Sequence, residues 1–97
     1  VLSAHGVGPV AFNISRTMVK GSSVDINVIS SVIPGSFPLD LNSLQISVLP
    51  DHGNAVVNFG EITYTPYANF VGNDSFQYSI EDTDGASAQA TIYITVV

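Results

Sequence analysis

The sequence predicts an all-β, Greek-key sandwich of about seven antiparallel strands. Short runs of strict apolar/polar alternation recur along the 97 residues, as half-buried strands require. Turn-rich joints separate them at roughly the 8–12-residue spacing of a sandwich. No window holds an apolar stripe of 3.6-residue period long enough for a regular helix.

The elements follow in order. Residues 1–8 lack a clean period, contain Gly6 and Gly8, and read as a linker; the domain is expected over 9–97. Val10, Phe12 and Ile14 alternate with Ala11, Asn13 and Ser15, and the Lys20-Gly21-Ser22-Ser23 turn follows. Val24, Ile26 and Val28 alternate with Ser23, Asp25 and Asn27. Residues 30–43, with Pro34, Gly35 and Pro38, read as the longest irregular connection. Leu44, Ile46 and Val48 form a strand closed by the turn from Pro50 to Asn54. Ala55 to Phe59 form a short run that turns at Gly60 into Ile62 and Tyr64. Phe76, Tyr78 and Ile80 belong to the next strand, and Ala90, Ile92, Ile94 and Val96 to the last. Val, Ile, Thr and Tyr dominate these runs, as a pleated surface favours.

Side-chain parity sorts the core. Phe12, Val24, Ile26, Val28, Leu44, Ile46, Val48, Ile62, Tyr64, Phe76, Tyr78, Ile80, Ala90, Ile92, Ile94 and Val96 share the inward phase. Phe59 and Phe70 are expected to plug the ends of the sandwich. Tyr93 falls outward between Thr91 and Thr95, and Tyr67 sits in a loop.

Composition removes whole classes of function. Only Lys20 and Arg16 are basic against eight acids, a net charge of −6. Neutralising phosphates needs several cations, so nucleic acid and anionic membrane surfaces are poor partners. No apolar run approaches the roughly 20 residues of a membrane span, so membrane insertion is not expected. The chain has no cysteine, which excludes disulfides and thiolate metal sites. It opens on Val1 rather than Met, which predicts a piece of a longer polypeptide.

The run Gly60, Ile62, Tyr64, Pro66, Phe70, Gly72, Asp74-Ser75-Phe76, Tyr78, Asp82, Gly85 reads G-x-I-x-Y-x-P-x-x-x-F-x-G-x-D-S-F-x-Y-x-x-x-D-x-x-G. With Pro50, Gly53 and Ala55 to Val57 upstream, it resembles the Ig-like, cadherin-like tandem repeats of large bacterial surface and secreted proteins. The match covers roughly 24–97 and is densest after Gly60. The resemblance implies a non-catalytic repeat of a larger protein, outside the cell or at its surface. Such a module acts as spacer or adhesion scaffold, with neighbouring repeats, a surface protein or a glycan as partners. It also implies calcium at a domain junction. The family's second strand often ends in V-L-x-N-D, however, and Val28-Ile29-Ser30-Ser31 stands there without an acid.

The candidate calcium ligands are Asp82, Asp84 and Glu81. Asp82-Thr83-Asp84-Gly85 offers two carboxylates on a tight turn to an ion that takes six to eight oxygens, and Asp51 or a neighbouring repeat would add others. The same four residues also read as a plain hairpin turn, with Asp bonding backbone N–H groups and Gly taking positive φ. Asp74 reads as an Asx-type brace of its loop, with Pro66 and Gly72 marking the same corner. Catalysis has no carrier. His5 and His52 are the only histidines, and no G-x-S-x-G elbow is present. Lys20 lies in a turn rather than in a core that would favour an isopeptide cross-link. Asn13-Ile14-Ser15 and Asn73-Asp74-Ser75 match the glycosylation tripeptide, a weak signal by itself. Tyr93 and Tyr67, with the outward threonines, form the candidate glycan contact, since aromatic faces stack on pyranose C–H groups. The second functional reading is therefore a carbohydrate-binding module, accessory to a polysaccharide-degrading enzyme.

Overall fold

The computed structural model describes residues 7–97; residues 1–6, and with them His5 and most of the expected linker, lie outside the described residues. Nine strands are present among the described residues: β1 (Val10–Ala11), β2 (Ile14–Met18), β3 (Val24–Asn27), β4 (Val32–Ile33), β5 (Leu39–Val48), β6 (Gly53–Asn58), β7 (Glu61–Pro66), β8 (Gly72–Asp82) and β9 (Ser87–Val96). A single 3-10 turn, Ile29–Ser31, precedes β4. The seven longer strands make two facing sheets, in the orders β2-β9-β8-β5 and β3-β7-β6, while β1 and β4 pair as a short ribbon.

Alternation positions the core between the sheets. Ile26, Ile62, Tyr64, Tyr78, Ile80 and Ile92 are fully excluded from water, and Phe76, Ile94 and Val96 nearly so. The rings of Tyr64 and Phe76 stack with centroids 5.7 Å apart. Burying aliphatic and aromatic side chains of this size stabilises by about 1.5–3 kcal/mol each.

Four expectations are corrected. Phe12 is 51% exposed instead of buried. The chain leaves β1 at Ala11 and enters β2 at Ile14, so the alternation breaks at Phe12 and Asn13. There the backbone is bonded: Phe12 N–H donates to Ser31 O, and its carbonyl accepts from the Tyr78 hydroxyl. Val48 is 49% exposed. A register shift lies between Ile46, opposite Tyr78, and Val48, opposite Gln77, and an extra residue there reverses the parity. Phe59 adopts φ 42° in the β6–β7 turn and is exposed, so it plugs nothing, whereas Phe70 is half-buried. The stretch 30–43 is not irregular throughout, because β4 and the first residues of β5 occupy part of it.

Three further differences concern pairing and membership. Met18 and Val32 join the core, because β2 runs on to Met18 and β4 tucks Val32 inward. Val24, Ile46 and Ala90 are only partly buried against it. Strand β2 pairs parallel to β9, with Ile14 beside Ile92 and Met18 beside Val96, while the other pairs are antiparallel. Arg16 holds an inward-phase position on this edge strand yet stays in water, donating to Ser15 O at 2.9 Å. A charge so placed discourages edge-to-edge association.

Candidate functional site

Strand β8 organises both ends of the sandwich. Its inward phase reads Asp74, Phe76, Tyr78, Ile80, Asp82: three apolar residues bracketed by two buried aspartates. Each aspartate is buried by the register that buries its neighbours, and each binds a turn.

At one end Asp74 accepts four hydrogen bonds. Asp51 N–H and Ser75 N–H donate to Oδ1 at 3.1 and 2.9 Å, and His52 N–H donates to Oδ2 at 3.1 Å. The Tyr64 hydroxyl donates to Oδ2 at 2.6 Å. Asp74 thus pins the β5–β6 turn as well as the start of its own strand. Burial, followed by the bond to Asp74 and the carboxylate's charge, pushes the Tyr64 hydroxyl well above the ordinary tyrosine pKa. The Tyr78 pKa is raised too, by burial.

Beside Asp74 lies a hollow of about 200 Å³ lined by Asp51, His52, Asn73, Asp74, Ser75 and Tyr93. Its parts come from the β5–β6 turn, the start of β8 and the middle of β9. Ser75 faces Tyr93 across the β8–β9 ladder, and Asn73 faces Thr95. His52 stacks on Phe70 at 4.4 Å and 7°, which closes the turn side. Tyr67 N–H donates to His52 O, but the Tyr67 side chain does not line the hollow. Of the two expected glycan contacts, only Tyr93 stands here. Asp51, His52, Asn73 and Ser75 escaped the sequence reading as a group, because alternation carries no trace of a turn docking about 22 residues away.

At the other end Asp82, 3% exposed, closes the β8–β9 hairpin. Its Oδ1 accepts Asp84 N–H and Ala86 N–H, both at 2.9 Å, its own N–H donates to Ala86 O, and Gly85 takes φ 90°. This is the hairpin-turn arrangement the tetrapeptide predicts. Glu81 lies exposed on the opposite face of β8, paired with Asp40, and so diverges from Asp82. Asp51 sits at the far end of the sandwich from Asp82, beside Asp74, and cannot serve as its companion ligand. Among the described residues, no group of three or more His, Asp or Glu is placed to hold a metal. Asp82 Oδ2 is buried without a hydrogen-bond partner. A donor set of one or two carboxylates does not close a calcium site, which needs six or more oxygens.

The two glycosylation tripeptides are structurally engaged. Asn13 Oδ1 accepts Thr91 N–H at 2.9 Å, and Asn73 Oδ1 accepts the Thr95 hydroxyl at 3.3 Å. No described helix is long and apolar enough to cross a membrane.

Comparison with known proteins identifies the family. The chain is 48% identical over 94 residues to Protein GAMETE EXPRESSED 2 of Arabidopsis thaliana. That match covers 97% of this chain but 10% of the plant protein, so the chain spans a tenth of that relative's length. Among solved structures, the 2,6-sialyltransferase of Photobacterium sp. JT-ISH-224 aligns with 91% of this chain and 18% of its own, at 11% identity and a TM-score of 0.48. Residues 7–95 match the family described as bacterial Ig domain. The chain belongs to the bacterial Ig domain family.

Proposed function

We propose that this chain is a non-catalytic module set in line within a longer polypeptide, outside the cell or at its surface. There it spaces its neighbours and holds adhesive contacts. One observation carries the reading: the chain enters and leaves at opposite ends of an elongated body, 54 × 20 × 19 Å. On entry, Ser36 N–H donates to Val7 O, Val7 N–H donates to the Ser36 hydroxyl oxygen, and Gly8 lies against Ala86 of the β8–β9 turn. On exit, Val97 follows Val96, which pairs with Gly72 at the other end of β8, and Val97 O accepts Lys20 N–H. A module so threaded adds its long axis to a chain of domains.

Calcium enters this reading only at a junction. The entry end would contribute Asp82 Oδ2, and a preceding domain would have to bring the remaining oxygens. The spacing role is tested by small-angle X-ray scattering on two copies joined in tandem. The maximum dimension is expected to grow by nearly one long axis over a single copy; a compact side-by-side pair overturns the proposal.

A further inference from the structure

We infer that the hollow beside Tyr93 is a seat for one ring of a neutral carbohydrate. The inference goes beyond the spacing role and does not rest on it. It comes from the outer face of the four-stranded sheet. Parity puts Ser15 and Thr17 of β2, Thr91, Tyr93 and Thr95 of β9, and Asn73, Ser75 and Gln77 of β8 on that face in register. These side chains are hydroxyls and amides around a single aromatic ring, with no charge among them. Tyr93 is 49% exposed, so part of its ring is open to solvent.

Apolar partners need a broad apolar centre to dock on, whereas beside the Tyr93 ring this face offers the lone aliphatic side chain of Val48, opposite Gln77. A pyranose needs what it does have. The C–H face of the sugar stacks on an aromatic ring, and its hydroxyls take bonds from amides, hydroxyls and a carboxylate. Asn73 keeps its amide N–H groups for a ligand, because only its Oδ1 is used, by Thr95. Ser75 stands directly opposite Tyr93. Asp51 is exposed at the rim with its backbone N–H fixed to Asp74, so its carboxylate is presented by a braced turn. The volume suits a single ring. Asp51, together with a net charge of −6, disfavours uronic and sialic acids, so the ligand is neutral. His52 stacked on Phe70 and Asp74 tied to Tyr64 hold the walls before any ligand arrives.

The test is an NMR titration of the 97-residue chain with cellobiose, mannobiose, lactose and chitobiose, and with sialyllactose and galacturonic acid as anionic probes. At least one neutral sugar is expected to bind in the millimolar range and to shift the amides of Asp51, Asn73, Ser75 and Tyr93. Tyr93→Ala should weaken that binding at least tenfold while leaving the remaining spectrum intact, and Asp51→Asn should weaken it less. The inference is overturned if no neutral sugar shifts these amides. It is equally overturned by binding that survives Tyr93→Ala, by preference for the acidic sugars, or by a protein occupying this face while every sugar fails. None of these outcomes bears on the spacing role, which the scattering experiment tests separately.

Discussion

The Tyr64 hydroxyl donates to Asp74 Oδ2 at 2.6 Å inside the sandwich, tying the three-stranded sheet to the four-stranded one. The same carboxylate collects the N–H groups of Asp51, His52 and Ser75. A buried charge that accepts four bonds is stable only while all of its donors stay in place.

Removing the carboxylate should therefore cost more than removing the hydroxyl. Asp74→Ala strands a buried hydroxyl and frees the β5–β6 turn, and is expected to cost about 3–5 kcal/mol. Tyr64→Phe keeps the ring packed and the three backbone bonds, and is expected to cost about 1.5–3 kcal/mol. Urea denaturation measures both; equal costs would contradict the ranking.

The tyrosines set an alkaline limit. Both Tyr64 and Tyr78 have folded pKa values above the ordinary value of 10.0. Their hydroxyls stay protonated in the fold while the unfolded chain ionises near pH 10. The stability they contribute is complete below about pH 10 and declines as pH rises beyond it towards the folded values. Chemical denaturation from pH 8 to 11 should show this decline, and Tyr64→Phe/Tyr78→Phe should flatten it. A wild-type curve level to pH 11 would refute the assignment.

Strand register is tested on β5 and β9. Ile92, fully buried, should lose about 3 kcal/mol as alanine. Ile46→Ala, at a partly buried site, should cost about 1–2 kcal/mol. Gln45→Leu and Val48→Thr, both at exposed positions, should stay within about 0.5 kcal/mol. A large loss at Val48 would mean that the bulge after Ile46 is absent.

Gly53 is required for space. A Cβ there would lie 2.6 Å from Thr65 O and 2.8 Å from Pro66 Cα, both backbone atoms. Gly53→Ala should lower Tm by more than about 8 °C, the shift that roughly 1–2 kcal/mol produces in a domain of this size. An unchanged Tm would show that β6 and β7 are not so closely paired.

Calcium should not move the melting point of the single chain. Asp82 Oδ1 is committed to its turn, Glu81 faces away, and Asp51 stands at the other end. Melts in millimolar calcium and in EGTA are expected to coincide; a rise of several degrees would show a site complete within this chain.

Much of this architecture is legible in the residues. Strands β7, β8 and β9 alternate without interruption, so parity alone places Ile62, Tyr64, Phe76, Tyr78, Ile80, Ile92, Ile94 and Val96 inward. The Asp82-Thr83-Asp84-Gly85 turn is equally local, since its bonds span four residues or fewer. What fails is whatever depends on a partner. Val48 turns outward because of how β5 meets β8, and Phe12 because the chain changes partner strands. The parallel pairing of β2 with β9 leaves no mark on either strand's alternation. The hollow is legible through Tyr93 and the Asp74 brace alone, as Asp51 and His52 arrive by a turn docking onto Asp74.

The most direct test of the in-line module is a distance between its two ends. The chain has no cysteine, so spin labels at Thr83→Cys and Lys20→Cys report without background. Thr83 follows β8 at the entry end, and Lys20 bonds Val97 at the exit. Strand β8 alone, at about 3.3 Å per residue, separates these ends by roughly 33 Å. Electron–electron resonance should give a single distribution centred at about 30–40 Å. A centre below about 20 Å would place entry and exit side by side and contradict the account.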